Sequence, residues 1–515
     1  MAVKMFAAIE AGSFGLSMKI FEYQDGRMRQ IERLHHSMDI GTDAYTLGRI
    51  RDEHMDEIFR VLRQFQTVMK EYRVTEYTAY GTSALREVSN TLLFCDQVEQ
   101  RTGIKIQVLS NAEQRYLNYK AIAAKSETFQ HIIEQGTAIV DICGGGLQIS
   151  LFDKDTLVCT QQLRLGFLRL KDQLSRLKAD EQNMESLILE LANPQLSVFK
   201  RMYLKGQKIT NVIMVDEHLS RYLMKKTGHE YGQGFWNSEE FNELMKKAAS
   251  ASKMEVSRLL QEPENSVDTM LLSGVLLKRV MEVTGAETLW VPGAELCDGI
   301  GYDYGEQHKL VTKYHDFEKD IIASVYNISK RYMGSRKRSE TLEQLALAIF
   351  DSVRKIHGLG KRERLLLRIS ALLHDCGKYI SISTMGSCSY SIIKSTEIIG
   401  LSHLEQEIVA NVVRFNHDDF EDSELWLRRN VDQQTYLTIA KLTAILRVAN
   451  GLDRSHKQKF GVVKCQLKDD RLIISVETEQ DISLEKGLVT ERTAFFEEVF
   501  NVKVEIRQKR ISREA

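Results

Sequence analysis

At 515 residues the chain is too long for one hydrophobic core, and roughly three domains are expected at ~150 residues each. An apolar share of 43% is that of an ordinary globular protein, a net charge of −1 provides no global field for DNA, and no apolar run approaches the ~20 residues of a membrane span. Seven cysteines without a CxxC pair or metal-like spacing point to a reducing, cytoplasmic setting, and Met1–Phe6 leads into a strand rather than a signal sequence.

In chain order, FAAIEAGSFGLSMKIFE at 6–22 reads as strand, acid, glycine turn and strand, with a third strand running to 35. Ile50, Met55, Ile58, Val61, Leu62, Phe65, Met69 and Tyr72 repeat at helical spacing and predict a helix over 48–72. A strand at 74–81 runs into TSALRE at 82–87, and Asn90 caps a predicted helix over 91–101 that stops near Gly103. A strand at 104–109 leads to SNAEQRYLNYKAI, where Ser110 or Asn111 caps a helix with Glu113 in its first turn. TAIVDICGGGLQISLFD at 137–153 then repeats the first hairpin without a gap, placing Asp141 on Glu10, Gly146 on Gly15, Leu147 on Leu16 and Phe152 on Phe21.

Either hairpin alone is ordinary. The shared register predicts two similar lobes facing one cleft. Glycine lets backbone N–H groups approach an anion with no Cβ in the way. The acid at each strand end is placed to hold a cation that bridges to that anion. A mixed α/β segment continues to VPGAELCDGIGY at 291–302.

From about 310 to 455 the pattern is helical, with apolar spacing in 340–356, 363–374, 404–416 and 435–449. Basic residues gather there: Lys330, Arg331, Arg336, Lys337, Arg338, Lys361, Arg362, Arg364, Arg428 and Arg429. They are expected either to line a channel for a long polyanion or to form solvated helix faces. FGVVKCQLKDDRLIISVE then predicts a hairpin with an Asp-Asp turn, followed by a helix over 485–500 and a strand at 502–507.

The paired hairpins, GTSALRE, SNAEQR, DICGGG and LRLGFLRL occur in the order found in the exopolyphosphatase/guanosine pentaphosphate phosphohydrolase family, which the chain resembles over nearly its whole length. ALLHDCGK and LRVANGLDRSH resemble that family's C-terminal HD-type helical domain. The resemblance implies an α/β fold of two ribonuclease-H-like lobes, the superfold of actin, sugar kinases and chaperone ATPases. An all-α HD-like domain and a small α/β C-terminal domain follow. The boundaries implied are 1–125, 126–308, 309–457 and 458–515.

It further implies release of terminal phosphate from inorganic polyphosphate, or from guanosine pentaphosphate, by Mg²⁺-assisted attack of water, in a homodimer. Phosphoryl transfer needs positioning and charge neutralisation more than covalent steps. Glu10 and Asp141 would hold the Mg²⁺ through its waters. Gly12, Ser13, Ser83, Gly144, Gly145 and Gly146 would bind phosphate, and Arg86 and Arg169 would clamp it with their forked guanidinium groups. Glu113 matches the family's general base.

Departures cluster in the same site. Glu10 replaces an aspartate, and Phe14 and Gly15 replace an asparagine and a serine. Gly146, Leu147 and Gln148 replace a serine, a threonine and a glutamate, IMVDEH at 213–218 replaces a glycine-rich loop, and Cys297 replaces an arginine. Asp216 and Glu217 are expected to repel a polyanion. These changes leave open a third reading, a non-hydrolytic polyphosphate or nucleotide sensor. At the HD-like site His374 and Asp375 are present and His417 is a further candidate. The position aligned with the first histidine is Thr341, and the last aspartate is Asn450, so metal hydrolysis there is not expected.

Overall fold

The structure is a computed structural model that describes residues 3–125, 127–177, 183–227, 234–261, 264–313, 315–428, 431–460 and 462–509. It divides into two compact units, Met1–Asp320 and Ile321–Ala515.

In the first unit, β1 (Lys4–Gly12), β2 (Gly15–Gln24) and β3 (Arg27–Ser37) form an antiparallel meander. The helix α1 (Asp52–Glu71) follows. It starts four residues later than its apolar spacing suggests, because Gly48 turns left-handed (φ 66) and Arg51 is extended at the N-cap. Then come β4 (Glu76–Gly81), α2 (Thr91–Thr102), β5 (Ile106–Val108) and α3 (Asn111–Lys125). The first sheet has the order β3-β2-β1-β4-β5. Alternation along β1 sends Ala7, Ile9 and Ala11 into a core with Ile58, Leu62 and Phe94 of α1 and α2.

The second lobe repeats this plan with β6 (Thr137–Ile142), β7 (Leu147–Asp153), β8 (Thr156–Leu163), α4 (Met184–Phe199), β9 (Asn211–Val215), α5 (Glu217–Thr227), β10 (Gly234–Asn237), α6 (Glu264–Thr284) and β11 (Thr288–Val291). Its sheet order is β10-β11-β9-β6-β7-β8.

The duplication holds to the residue. Glu10 pairs with Ser17 across the first hairpin, and Asp141 pairs with the equivalent Gln148 across the second. Each second strand also carries a register shift at the same place, between Ile20 and Phe21 in one lobe and between Leu151 and Phe152 in the other. At the first turn Gly15 has φ +141, and a Cβ there would lie 2.0 Å from the His36 carbonyl oxygen, so only glycine fits.

After β11 the chain returns to the first sheet. The helix α7 (Leu296–Gln307) packs Leu296, Cys297 and Ile300 onto Phe6, Ala8 and Phe21. It crosses α3 with Gly299 against Leu117, so closely that a Cβ on Gly299 would sit 2.0 Å from the Leu117 carbonyl oxygen.

The second unit is a helical bundle of α8 (Arg336–Ser352), α9 (Lys361–Leu372), α10 (His403–Phe415) and α11 (Gln433–Leu452) around buried Leu342, Leu366, Ile369, Val409, Val412 and Ile445. The strands β12 (Val462–Lys468) and β13 (Arg471–Glu477) are joined by Asp469 and Asp470, both at positive φ (48 and 54), as a two-residue hairpin of this twist requires. The helix α12 (Ser483–Phe500) lies along α11, and β14 (Lys503–Lys509) adds parallel to β13. Among the described residues no helix is long and apolar enough to cross a membrane.

Candidate active cleft

The two glycine turns converge on one cleft. Glu10 and Asp141 reach it from the ends of β1 and β6, with Gly12, Ser13, Ser83 and Gly144 beside them. Ser13 Oγ and Ser83 Oγ lie 3.0 Å apart, so the first turn and the TSALRE segment present hydroxyls to the same point.

Asp141 is buried at the base of the cleft, 5% exposed. Burial pushes its carboxyl up to about 6, with Asp216 adding to the effect and the Asn118 hydrogen bond and the Arg115 charge opposing it. Asn118 Nδ2 donates to Asp141 Oδ2 at 2.7 Å, and Arg115 Nε donates to Gln148 Oε1 at 2.9 Å, which ties α3 to the second lobe.

Only Gly144 of the glycine triplet lines the cleft. Two of the turn's carbonyls are taken up by the segment behind it, Phe167 N donating to Cys143 O at 3.3 Å and Arg169 N to Gly144 O at 3.3 Å, and a third is bonded within the turn, Cys143 N donating to Gly146 O at 3.0 Å. Gly166 packs flat on this turn, where a Cβ would meet Gly144 O and Gly146 N at 2.2 Å.

Several expected site residues are committed elsewhere. Arg86 does not line the cleft; its guanidinium donates to Leu109 O at 2.7 Å and to Gln114 Oε1 at 2.8 Å. Arg169 donates to Gly145 O at 3.3 Å and pairs with Glu87 at 3.4 Å. Glu113 closes a capping box on α3: Ser110 N donates to its Oε2 at 2.8 Å and Glu113 N donates to Ser110 Oγ at 3.1 Å. The side chains of α3 that do face the cleft are Gln114 and Asn118, one helical turn apart. That phase is set by packing, and only the i, i+4 spacing hinted at it.

Asp216 lines the cleft and also caps α5, accepting from Leu219 N at 2.6 Å and from Ser273 Oγ at 2.9 Å. The side chain of Glu217 is outside those described. Sequence reasoning missed Glu295, which lines the cleft at the N-terminus of α7 and is held by Lys19 (2.9 Å) and Arg33 (2.9 Å). It also missed the aromatic closure of the first turn: Phe14 stacks on Phe167 at 5.1 Å between ring centroids and meets His218 edge-on at 4.3 Å.

Four carboxylates, Glu10, Asp141, Asp216 and Glu295, therefore line the cleft, and among the described residues no lysine or arginine does. Nor, among the described residues, are three or more acid, histidine or cysteine side chains grouped to cage an ion. Two carboxylates and an open cleft suit Mg²⁺, which keeps most of its water and takes phosphate oxygens as further ligands.

In the helical unit, Arg336 is paired with Glu340, Arg362 with Glu405 and Arg364 with Asp351, which leaves these three less free to line a channel. Arg429 and the side chain of Arg428 lie outside the described residues. His374, Asp375 and His417 do come together, with His417 Nε2 2.6 Å from His374 O. Thr341 is turned back onto its own helix, donating to Lys337 O at 2.9 Å, and the α8 residue that reaches Asp375 is Arg338.

Two ribonuclease-H-like lobes with an acid and a glycine turn on either side of one cleft define the two-lobed fold class of actin and the sugar kinases. The chain belongs to the Ppx/GppA phosphatase family: residues 19–308 match the profile of that family, and residues 322–492 match Ppx/GppA phosphatase, domain III. It is similar to the guanosine-5′-triphosphate,3′-diphosphate pyrophosphatase of Vibrio vulnificus, at 19% identity over 416 residues and 80% of each chain. The protein of the same name from Photobacterium profundum is 18% identical over 436 residues, again 80% of each chain. In fold it is similar to an exopolyphosphatase from Cytophaga hutchinsonii (TM-score 0.53, 18% identity, 60% of this chain and 100% of that one). It is likewise similar to the Aquifex aeolicus Ppx/GppA family member (TM-score 0.50, 17% identity, 60% of this chain and 99% of that one).

Proposed function

We propose that this chain releases the terminal phosphoryl group of a phosphate chain, inorganic polyphosphate in the first instance, with Mg²⁺ held between Glu10 and Asp141. The observation that carries this reading is the lining of the cleft. Hydroxyls and a glycine turn are present to receive phosphate, yet the fixed charges among the described lining residues are carboxylates, so a polyanion needs a cation to enter. Guanosine pentaphosphate is the alternative substrate, favoured by the ion-paired arginines of the helical unit and by the names of the two relatives above. Competition between the two substrates separates them. The protein is proposed to act in the cytoplasm as a homodimer.

Glu113 is the proposed base, released from its capping box when substrate is bound. Glu113→Gln tests it cleanly, because the amide oxygen still accepts from Ser110 N–H, so the helix cap is kept. Phosphate release from long-chain polyphosphate with Mg²⁺ should fall by at least ~100-fold while the melting temperature stays within a degree or two. Equal release from wild type and variant would place the base elsewhere. The second reading, a sensor that binds without turnover, is favoured by Gln114 and Asn118 as the α3 side chains in the cleft. It predicts calorimetric binding of polyphosphate with no phosphate release from either protein.

A further inference from the structure

We propose that Arg338 is the resident cation of the HD-like pocket, so that the C-terminal unit is organised around a guanidinium where a working HD site would hold a metal ion. Four elements meet at this point: α8 supplies Arg338, the turn after α9 supplies His374 and Asp375, the end of α10 leads into Asn416 and His417, and α11 supplies Asn450. Arg338 Nη1 lies 3.4 Å from Asp375 Oδ2 and its Nη2 lies 3.3 Å from Asn450 Oδ1. Asn450 Nδ2 in turn donates to Asn416 Oδ1 at 3.4 Å. All of this is enclosed: Arg338 is 9% exposed, Asp375 7%, Asn450 5% and His374 0%.

Charge and lone pairs decide what this pocket can hold. A metal site of this type needs two histidines and two carboxylates turned on the ion. Of the acids of such a site Asp375 remains, since the position of the last acid is the neutral amide Asn450; the first position, Thr341, is turned away, and the α8 side chain that reaches Asp375 is a guanidinium, which has no lone pair to give. Asp375 and Arg338 balance to zero. A divalent ion would bring two more positive charges beside Arg338, where the charges of Asp375 and Asp453 are already met by those of Arg338 and Arg454.

The frame of a metal site nonetheless persists. His374 Nε2 and Asp375 Oδ1 are buried and make no hydrogen bond. Two potential ligand atoms are thus still in place around the guanidinium.

The experiment uses the full chain carrying Glu10→Gln and Asp141→Asn, so that the N-terminal cleft takes no ion, with Mn²⁺ binding read by electron paramagnetic resonance. This background should bind no Mn²⁺. Adding Arg338→His together with Asn450→Asp should create one Mn²⁺ site per chain, lost again with His374→Ala. Mn²⁺ bound by the background and released by His374→Ala would overturn the proposal, as would failure of the folded double variant to bind. Should that variant not fold, Arg338→Met in the wild-type chain keeps the stem and removes the charge. It should lower the melting temperature of the C-terminal unit by roughly 6 °C or more, because Asp375 is left buried without its partner. An unchanged melting temperature would also overturn the proposal.

Discussion

Asp141→Asn is expected to abolish Mg²⁺-dependent phosphate release, by ~10³-fold or more, and at the same time to stabilise the cation-free protein at pH 8. Both effects follow from one enclosed carboxyl. Its ordinary value of 3.8 is pushed up to about 6, chiefly by burial. The folded protein therefore holds this proton more tightly than the unfolded chain does. Stability falls as the pH rises from about 4 to about 6 and stays low above that, with up to about 3 kcal/mol at stake for a shift of this size.

Asparagine has no proton to lose and can still accept from Asn118 through its amide oxygen. Urea unfolding in a chelator should show the variant level with wild type near pH 4 and more stable by pH 8. Mg²⁺ should raise the stability of wild type but not of the variant. A variant less stable than wild type at pH 8 in chelator would refute the account of Asp141. The same proton makes cation binding pH-dependent: below about pH 6 it competes with Mg²⁺, and apparent affinity should weaken toward tenfold per pH unit.

The second large effect is expected at Gly299→Val. The obstacle there is the carbonyl of Leu117, which is backbone in the middle of α3 and cannot swing aside. The variant must separate α3 from α7, and these two helices link the lobes, so a loss of at least about 3 kcal/mol is expected. Gly301→Ala is the control. Its Cβ would meet the buried ring of Phe21 at 2.7 Å, a side chain rather than backbone, and the cost should be smaller. Chemical unfolding of the two variants side by side measures the difference; equal losses would show that the Gly299 crossing has slack.

The lobes were legible because their signal is local. A strand, an acid, a glycine turn and an alternating strand occupy 17 consecutive residues in each copy, and the pairing of Glu10 with Ser17 and of Asp141 with Gln148 follows from that spacing. The Asp-Asp hairpin near 469 was legible for the same reason. What escaped was whatever depended on distant partners. Glu113 and Gln114 are neighbours in sequence, and only the packing of α3 between the lobes decides which of them faces the cleft. The helix α7 follows the second lobe in the chain but buries its apolar side on the first sheet, 280 residues away from the strands it covers. The burial of Arg338 is not legible, because nothing local in RKRSE separates it from the other basic residues expected to line a channel or a solvated face, such as Arg336, which is exposed and paired with Glu340.

The aromatic contact at the first turn has a kinetic meaning. Phe14 belongs to one lobe, Phe167 and His218 to the other, and parting them exposes ring surface to water. Stacked and edge-on pairs of this kind are worth about 0.5–1.5 kcal/mol each beyond their buried area. If the two contacts together cost about 2 kcal/mol to break, the open form makes up only about 3% of the population, so that entry into the cleft and escape from it both slow about thirtyfold while the affinity is unchanged. A ligand would then be captured through rare openings and retained by the same rings that delayed its arrival.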